Sequence, residues 1–178
     1  MRYLVFSDLH GSIIYAKKII EEFKSGNYDK MLCLGDILYH GPRNDLPNGY
    51  NPKEVIKLLN EYKDYIIAVK GNCDAYVDSM VLDFIIHDEY EFLYNGKRII
   101  MTHGHIINPE KHLNLSGAII LYGHTHIYKA DMVSGSLYLN PGSTTIPKNN
   151  NSNSYAIIED NTFIVYDFNK NILLKQEI

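Results

Sequence analysis

The first half of the chain alternates short apolar runs with amphipathic helical patterns. The runs Arg2–Phe6, Lys30–Leu34 and Tyr65–Val69 are rich in β-branched and aromatic residues and end at polar turns, which predicts three buried strands. Between them, Ser12–Phe23 places its apolar residues on one helical face, and Asn51 followed by proline is a typical helix start. This β-α-β-α-β order predicts parallel strands with helices packed on the sheet.

The second half consists mainly of predicted strands joined by tight turns. Phe84–Leu93 and Arg98–Thr102 flank an Asn-Gly pair, which is a strong signal for a β-hairpin. The other predicted strands are Ala118–Tyr122, Lys129–Val133, Leu137–Leu139, Tyr155–Glu159, Thr162–Asp167 and Ile172–Lys175. The asparagine- and serine-rich segment Lys148–Ser154 predicts a surface loop. Because no linker divides the chain, we expect one domain over residues 1–178, of the α/β (α+β) class, with two mixed β-sheets packed as a sandwich and flanked by helices.

Composition and charge exclude several classes of protein function. With 46% hydrophobic residues among 178, the chain can bury a substantial core. Its 17 basic and 21 acidic residues give a net charge of −4, which argues against nucleic-acid partners and anionic membranes. Two cysteines are too few for a disulfide scaffold, no signal peptide is recognisable, and no apolar run approaches the ~18 residues of a membrane span. We therefore expect a cytoplasmic protein without a membrane partner, and the sequence leaves open whether it forms a homo-oligomer.

Polar residues with metal-binding side chains cluster at the ends of five predicted strands. They are Asp8 and His10, Asp36, Asn72 and Asp74, His103 and His105, and His124 and His126. The carboxyl ends of neighbouring strands meet at one rim of an open α/β sheet. Each motif alone also fits an ordinary turn with a surface side chain, but five coincidences at five strand ends favour a metal site. Carboxylate, imidazole and amide donors without thiolates suit Mn, Fe or Zn better than Ca or a structural zinc site.

These motifs resemble the five-block signature of the calcineurin-like metallophosphoesterases. The matching blocks are Asp8-x-His10, Gly35-Asp36, Gly71-Asn72, His103 and Gly123-His124-x-His126, and the resemblance extends from Met1 to about Ser143. Within that superfamily, the similarity is closer to the small bacterial and archaeal phosphodiesterases of the YfcE type. It rests there on the segment Gly41-Pro42-Arg43-Asn44-Asp45-Leu46-Pro47, on Gly71-Asn72-Cys73-Asp74 and on Asn140-Pro141-Gly142-Ser143.

The resemblance implies a dinuclear metal centre and a metal-dependent phosphodiesterase. One metal would be held by Asp8, His10, Asp36 and His126, and the other by Asp36, Asn72, His103 and His124. The shared Asp36 would bridge two ions ~3.5–4 Å apart, and a hydroxide between them would attack a small phosphodiester. We expect two divalent ions, with Mn²⁺ as the preferred candidate and Zn²⁺, Fe²⁺ or Ni²⁺ as alternatives.

Three further residues are candidates for catalysis or substrate binding. Many family members carry a histidine directly after the asparagine, where it protonates the leaving oxygen, and this chain has Cys73 at that position. Cys73 is either a substitute catalytic group or a small packing residue. His105 is either another general acid or a residue that orients a metal ligand, and Arg43 either binds a phosphate oxygen or is solvated in its loop. The missing histidine favours diesters with good leaving groups over ordinary monoesters.

Two alternative functions remain open at the level of sequence. The retromer subunit of the same fold has drifted from catalysis to protein contact, but such a scaffold is expected to lose metal ligands, and all seven are present here. The other alternative is an enzyme that hydrolyses dinucleoside polyphosphates or single-stranded nucleic acid. The acidic balance and the lack of a basic groove with aromatic residues argue against nucleic acid.

Overall fold

The helices and strands follow the predicted order over residues 1–112 and 115–178, which the structure, a computed structural model, describes. The two α-helices are α1 (Ile13–Ser25) and α2 (Pro52–Asn60), and short 3-10 helices span Lys63–Tyr65 and Tyr76–Met80. The strands are β1 (Tyr3–Phe6), β2 (Lys30–Cys33), β3 (Ile66–Val69), β4 (Ile86–His87), β5 (Tyr90–Tyr94), β6 (Lys97–Met101), β7 (Ile119–Leu121), β8 (Tyr128–Val133), β9 (Ser136–Pro141), β10 (Ser154–Glu159), β11 (Thr162–Asp167) and β12 (Ile172–Glu177).

The strands form two mixed sheets, as predicted. The larger sheet has the order β12-β11-β10-β1-β2-β3-β4, and the smaller has the order β5-β6-β7-β9-β8. Strands β1 to β4 pair in parallel, whereas β10 pairs antiparallel with both β1 and β11. In the smaller sheet, β6, β7 and β9 are parallel neighbours. The carboxyl ends of β1, β2, β3, β6 and β7 therefore carry the loops that hold the candidate metal ligands.

One predicted strand, Phe84–Leu93, is wrong as a single element because the chain changes sheets within it. Strand β4 pairs with β3 in the larger sheet, and β5 then pairs with β6 in the smaller one. The exposed charged pair Asp88-Glu89 lies at the crossing. The predicted hairpin is confirmed: Asn95 and Gly96 have φ values of 49° and 80°, which fits the tight turn that an Asn-Gly pair favours.

Side-chain alternation on β1 explains the layered core. Leu4 and Phe6 point towards the helices and belong to one buried apolar cluster, together with residues of α1 and α2. Tyr3 and Val5 point the other way, into a second cluster that lies between the two sheets. A strand buried on both faces has no polar position, so the polar residues of these segments are found after the strands end.

Among the residues that the structure describes, we find no helix with the length and apolar character needed to span a lipid bilayer.

Candidate metal centre

Five of the seven predicted metal ligands have a left-handed backbone conformation. They are Asp8 (φ 57°), His10 (48°), Asp36 (55°), His124 (65°) and His126 (62°). This conformation costs a non-glycine residue roughly 1–2 kcal/mol, so it persists only where the surrounding structure enforces it. Residues held in this way cluster at functional sites. Left-handed residues are therefore concentrated at this rim, although turns elsewhere, such as the one at Asn95, contain them too.

Hydrogen bonds between loops extend the sheets beyond the strand ends and join the two sheets. They run from His10 N to Asp36 O (2.9 Å), from Gly123 N to His103 O (2.8 Å) and from His124 N to Asp8 Oδ2 (3.2 Å). The first two bonds connect neighbouring loops within one sheet, and the third connects a loop of one sheet to a loop of the other. Four segments that are distant in sequence, the loops after β1, β2, β6 and β7, thus form one continuous rim.

His10 and His126 face each other through nitrogens that are acceptors in the neutral ring. Their Nδ1 atoms lie 2.7 Å and 2.6 Å from the carbonyl oxygens of Tyr39 and Ile146. Because a carbonyl oxygen only accepts, each Nδ1 carries the ring proton, which leaves a lone pair on Nε2. The two Nε2 atoms are 3.4 Å apart, and that of His126 is 3.2 Å from the buried Oδ1 of Asp8, which makes no hydrogen bond within the described residues. Three acceptors converge here, and a cation would satisfy all of them.

His103 shows the same arrangement on the other side of Asp36. Its Nδ1 lies 2.6 Å from the carbonyl oxygen of Leu34, and its Nε2 is 3.1 Å from Asn72 Oδ1 and 3.4 Å from Asp36 Oδ2. The same Asp36 oxygen is 3.7 Å from His10 Nε2. The Asp36 carboxylate therefore lies between two groups of converging acceptors.

The donor set fits divalent metal ions. In the part of the chain that the structure describes, three groups of histidine, cysteine and acidic side chains have ligand atoms within 4.8 Å of one another: Asp8, His10 and His126; Asp8, Asp36 and His103; and His10, Asp36 and Cys73. A histidine that binds a metal through one ring nitrogen commonly donates a hydrogen bond from the other ring N–H to a carbonyl oxygen, and three histidines are arranged in this way here. His124 belongs to none of these groups, and its ring centroid lies 5.2 Å from that of His103.

The electrostatics of the site favour ionised carboxylates. Burial opposes the charge on Asp8 and Asp36, but the neighbouring imidazoles outweigh it and hold the pKa of each carboxyl below its usual range. Burial lowers the pKa of His10 and, with the charge of His103, lowers that of His124 to about 4. Burial also opposes protonation of His103, but the hydrogen bond and charge of Asp36 and the charge of Asp8 raise its pKa to about 9. A metal ion would therefore compete with a proton for the His103 ring.

Asp74, one of the polar residues at the predicted strand ends but not one of the seven proposed ligands, joins the loops after β2 and β3. Its carboxylate accepts the backbone N–H groups of Asp36 (2.8 Å), Ile37 (2.7 Å) and Gly71 (2.7 Å). Asp74 is only 6% exposed. Its burial raises the pKa of the carboxyl to about 6, although the three hydrogen bonds act to lower it. Asp74 is therefore a positioning residue for Asp36.

Gly71 allows Asp36 to approach the loop after β3. A Cβ atom at this position would overlap the Asp36 carboxylate and backbone nitrogen. Two residues later, Cys73 N donates to Asp36 Oδ1 at 2.8 Å. The glycine of the Gly-Asn motif is thus required by close packing around Asp36.

An open cleft of about 770 Å³ is lined by five of the seven candidate ligands: His10, Asp36, Asn72, His124 and His126. The other two, Asp8 and His103, are fully buried. The exposed Arg43 and the half-buried Cys73 also line this cleft. Burial and the charge of Asp36 raise the pKa of the Cys73 thiol to about 12. Tyr39 and Lys148 also line the cleft. The sequence gives no signal for Tyr39 and identifies Lys148 only as part of a polar loop.

His105 lies on the far side of His124 from the cleft. The two ring centroids are 6.1 Å apart, and His105 lines a neighbouring cavity that it shares with His124. Burial and the charge of His103 lower the pKa of His105. The three remaining histidines, His40, His87 and His112, line neither space.

Comparisons with known proteins agree with this geometry. Residues 1–162 match the family model of the calcineurin-like phosphoesterase superfamily domain. The chain is 38% identical to Phosphodiesterase YfcE of Escherichia coli (strain K12), over 99% of this chain and 97% of that protein. The structure of Yfce, a phosphoesterase from E. coli, matches with a TM-score of 0.97 at 37% identity and covers 100% of both chains. A crystal structure of Vps29 from Entamoeba histolytica, at 20% identity with a TM-score of 0.65 over 100% of this chain and 99% of that one, shares the fold.

The family model spans most of the chain, and the E. coli relative matches it from end to end. The residues that carry the shared motifs are also those whose acceptor atoms converge at the rim. The chain therefore belongs to the calcineurin-like phosphoesterase superfamily and, within it, to the phosphodiesterases of the YfcE type.

Proposed function

We propose that the chain is a dinuclear-metal phosphodiesterase that hydrolyses small phosphodiesters. The observation that carries the proposal is the position of Asp36, whose Oδ2 lies 3.4 Å from His103 Nε2 and 3.7 Å from His10 Nε2. One metal would be held by Asp8, His10, Asp36 and His126, and a second by Asp36, Asn72, His103 and His124. Asp36 is the only residue common to both sets.

Bound divalent ions would supply activation of water for attack on phosphorus and neutralisation of charge on the phosphoryl oxygens. The residues of the chain fix the donors that hold these ions. The carbonyl oxygens of Leu34, Tyr39 and Ile146 orient three imidazoles, and Asp74 holds the loop that carries Asp36. Arg43, which is exposed and lines the cleft, would bind a phosphate oxygen of the substrate.

A small substrate and a manganese cofactor complete the proposal. The cleft volume of about 770 Å³ lies within the range typical of small-molecule sites. Carboxylate, imidazole and amide donors suit six-coordinate Mn²⁺, with Zn²⁺, Fe²⁺ and Ni²⁺ as alternatives. We further propose a cytoplasmic location, which the free thiols of Cys33 and Cys73 support.

The proposal is tested by metal reconstitution. Chelator-treated protein is titrated with Mn²⁺, Ni²⁺, Mg²⁺ or Zn²⁺, and hydrolysis of bis(4-nitrophenyl) phosphate is followed together with metal content. We expect activity to reach its plateau at two equivalents of metal, with Mn²⁺ most effective. A plateau at one equivalent would contradict the dinuclear centre, and no turnover with any metal would contradict the activity.

Replacement of Asn72 with alanine is expected to leave residual activity that rises with added Mn²⁺. Asn72 is a neutral ligand on one side of Asp36 and is solvent-exposed, so water can fill its place. We expect kcat/KM at low metal to fall about 10- to 100-fold, as for other changes that weaken a metal site. The exposed Asn169→Ala is the matched control. A loss that no metal concentration restores would assign Asn72 a role other than metal binding.

Replacement of Cys73 with histidine is expected to raise the hydrolysis of alkyl esters relative to aryl esters. An aryloxide leaves without protonation, whereas an alkoxide needs a proton donor, and a thiol is a weak one. We expect wild type to prefer activated aryl diesters over alkyl monoesters, and Cys73→His to raise alkyl turnover about tenfold or more. Cys73→Ser, which preserves the size of the side chain, should leave the ratio unchanged. An unchanged ratio in Cys73→His would contradict this role for the position.

The fold alone does not decide between this enzyme and a non-catalytic, protein-binding scaffold. The converging acceptors around Asp36 favour the enzyme, since a scaffold has no need for three buried imidazoles oriented towards two carboxylates. A dinucleoside polyphosphate is the alternative substrate, and it is included in the reconstitution assay.

A further inference from the structure

A second cavity, of about 540 Å³, adjoins the metal cleft. His124 and Lys148 line both spaces, so the cavity begins where the proposed metal centre ends. Its volume falls within the range typical of small-molecule sites. We name it the lysine cavity after Lys111, Lys129 and Lys148, which line it.

The lysine cavity is positively charged in a protein of negative net charge. Three lysines line it against one acidic residue, Glu110, whereas the whole chain has a net charge of −4. Lys129 also pairs with Asp131, with Nζ 2.9 Å from Oδ2. Lys111 and Lys148 are exposed and have no salt bridge within the described residues. The charge of the cavity suits an anionic group.

The lysines are carried by the same loops that carry the candidate metal ligands. Asn108 accepts the Lys111 N–H at 3.0 Å and donates to Gly104 O at 2.7 Å, which ties Lys111 to the loop after β6. Lys148 N donates to His126 O at 3.2 Å. Lys129 lies in β8, three residues after His126. The backbones of the three lysines are therefore tied to the segments that carry the candidate metal ligands, and their exposed side chains extend from there.

The wall of the cavity offers both apolar and polar contacts. Tyr122 is almost fully buried and, with Ile127 and Pro109, supplies an apolar surface. His105 Nδ1 is buried and has no hydrogen-bond partner within the described residues. An uncharged carbon chain or sugar can pack on the apolar surface while an anionic end reaches the lysines.

We propose that the lysine cavity binds one alcohol arm of the phosphodiester and that this arm carries a second phosphate. This inference rests on the proposed function, because it assigns a substrate class to the same centre. The scissile phosphate would lie at the metal centre, and the second phosphate would lie among Lys111, Lys129 and Lys148. The preferred substrate is thus a diester with one phosphorylated arm.

The test compares matched 4-nitrophenyl phosphodiesters whose second alcohol is a two-, three- or four-carbon chain ending in a hydroxyl or in a phosphate. With the Mn²⁺-loaded enzyme, we expect the phosphate-ended substrate of the best length to have about tenfold higher kcat/KM, mainly through a lower KM. In the double variant Lys111→Met/Lys129→Met, the ratio of the two kcat/KM values should fall to about one.

A double variant with the same charge change serves as the control. Lys97 and Lys175 are exposed and line neither space, so Lys97→Met/Lys175→Met should keep the wild-type ratio. Turnover of the hydroxyl-ended substrates without a phosphate preference at any length would overturn the lysine cavity and leave the proposed function intact. A preference that survives Lys111→Met/Lys129→Met would overturn it as well. No turnover of any diester would overturn both.

Discussion

Replacement of Asp36 with asparagine is expected to reduce kcat/KM for an activated aryl phosphodiester by about a thousandfold or more, which corresponds to about 4 kcal/mol of transition-state stabilisation. Asp36 is the only proposed ligand of both metals, and its Oδ2 lies between the His10 and His103 imidazoles. Asparagine preserves the shape and can still accept the Cys73 N–H. It removes the negative charge that offsets repulsion between two closely spaced dications.

Kinetics and metal analysis together check this prediction. Asp36→Asn should bind fewer than two equivalents of Mn²⁺, and its melting temperature should rise less than that of wild type when Mn²⁺ is added. In chelator it should stay folded and melt as wild type does or slightly lower, because the ionised Asp36, whose pKa is held down by His103, contributes stability while the apolar core lies beneath the site. Asp88→Asn, at an exposed position between the sheets, removes the same charge and should behave as wild type. Near-normal activity of Asp36→Asn with excess metal would show that Asp36 does not bridge.

Replacement of Asp74 with alanine is expected to lower the free energy of unfolding by about 3 kcal/mol or more. The substitution leaves three backbone N–H groups, those of Asp36, Ile37 and Gly71, without their acceptor. A buried donor without a partner costs about 1–3 kcal/mol, and the loops can relax to hydrate some of the three. Activity should fall too, since Asp74 positions the loop that carries Asp36.

Urea unfolding of matched variants measures this effect. Asp78 is a buried aspartate of the same segment whose carboxylate accepts one backbone N–H, that of Ala75 at 2.8 Å. Asp78→Ala should therefore cost about 1 kcal/mol, a fraction of the cost of Asp74→Ala. The loss in the free energy of unfolding should be intermediate for Asp74→Asn. The amide keeps one oxygen that can accept a hydrogen bond, but its NH₂ group faces a backbone N–H that the second carboxylate oxygen accepted in wild type. Equal losses for Asp74→Ala and Asp78→Ala would contradict the joining role of Asp74.

The sequence by itself was sufficient for the layers, the strand order of the first half and the identity of the candidate ligands. Apolar runs of strand length between amphipathic helices are local signals, and so is the Asn-Gly hairpin turn. The ligands could be found because a strand buried on both faces leaves its polar residues at its carboxyl end, where the family motifs also lie. The break between β4 and β5 was missed, because pairing with different sheets is decided by the neighbours of a strand and not by its own pattern.

Only the tertiary structure decided how the ligand atoms are presented. The left-handed conformations of Asp8 and His126 and the carbonyl partners of the imidazoles depend on contacts between loops distant in sequence. The same holds for the three bonds of Asp74 and for the meeting of Lys111 and Lys148 at one cavity. A local pattern encodes the periodicity of a segment, whereas hydrogen bonds between loops depend on how the two sheets pack. The sequence therefore determined which residues could form the centre, and the packing of the sheets determined their distances and orientation.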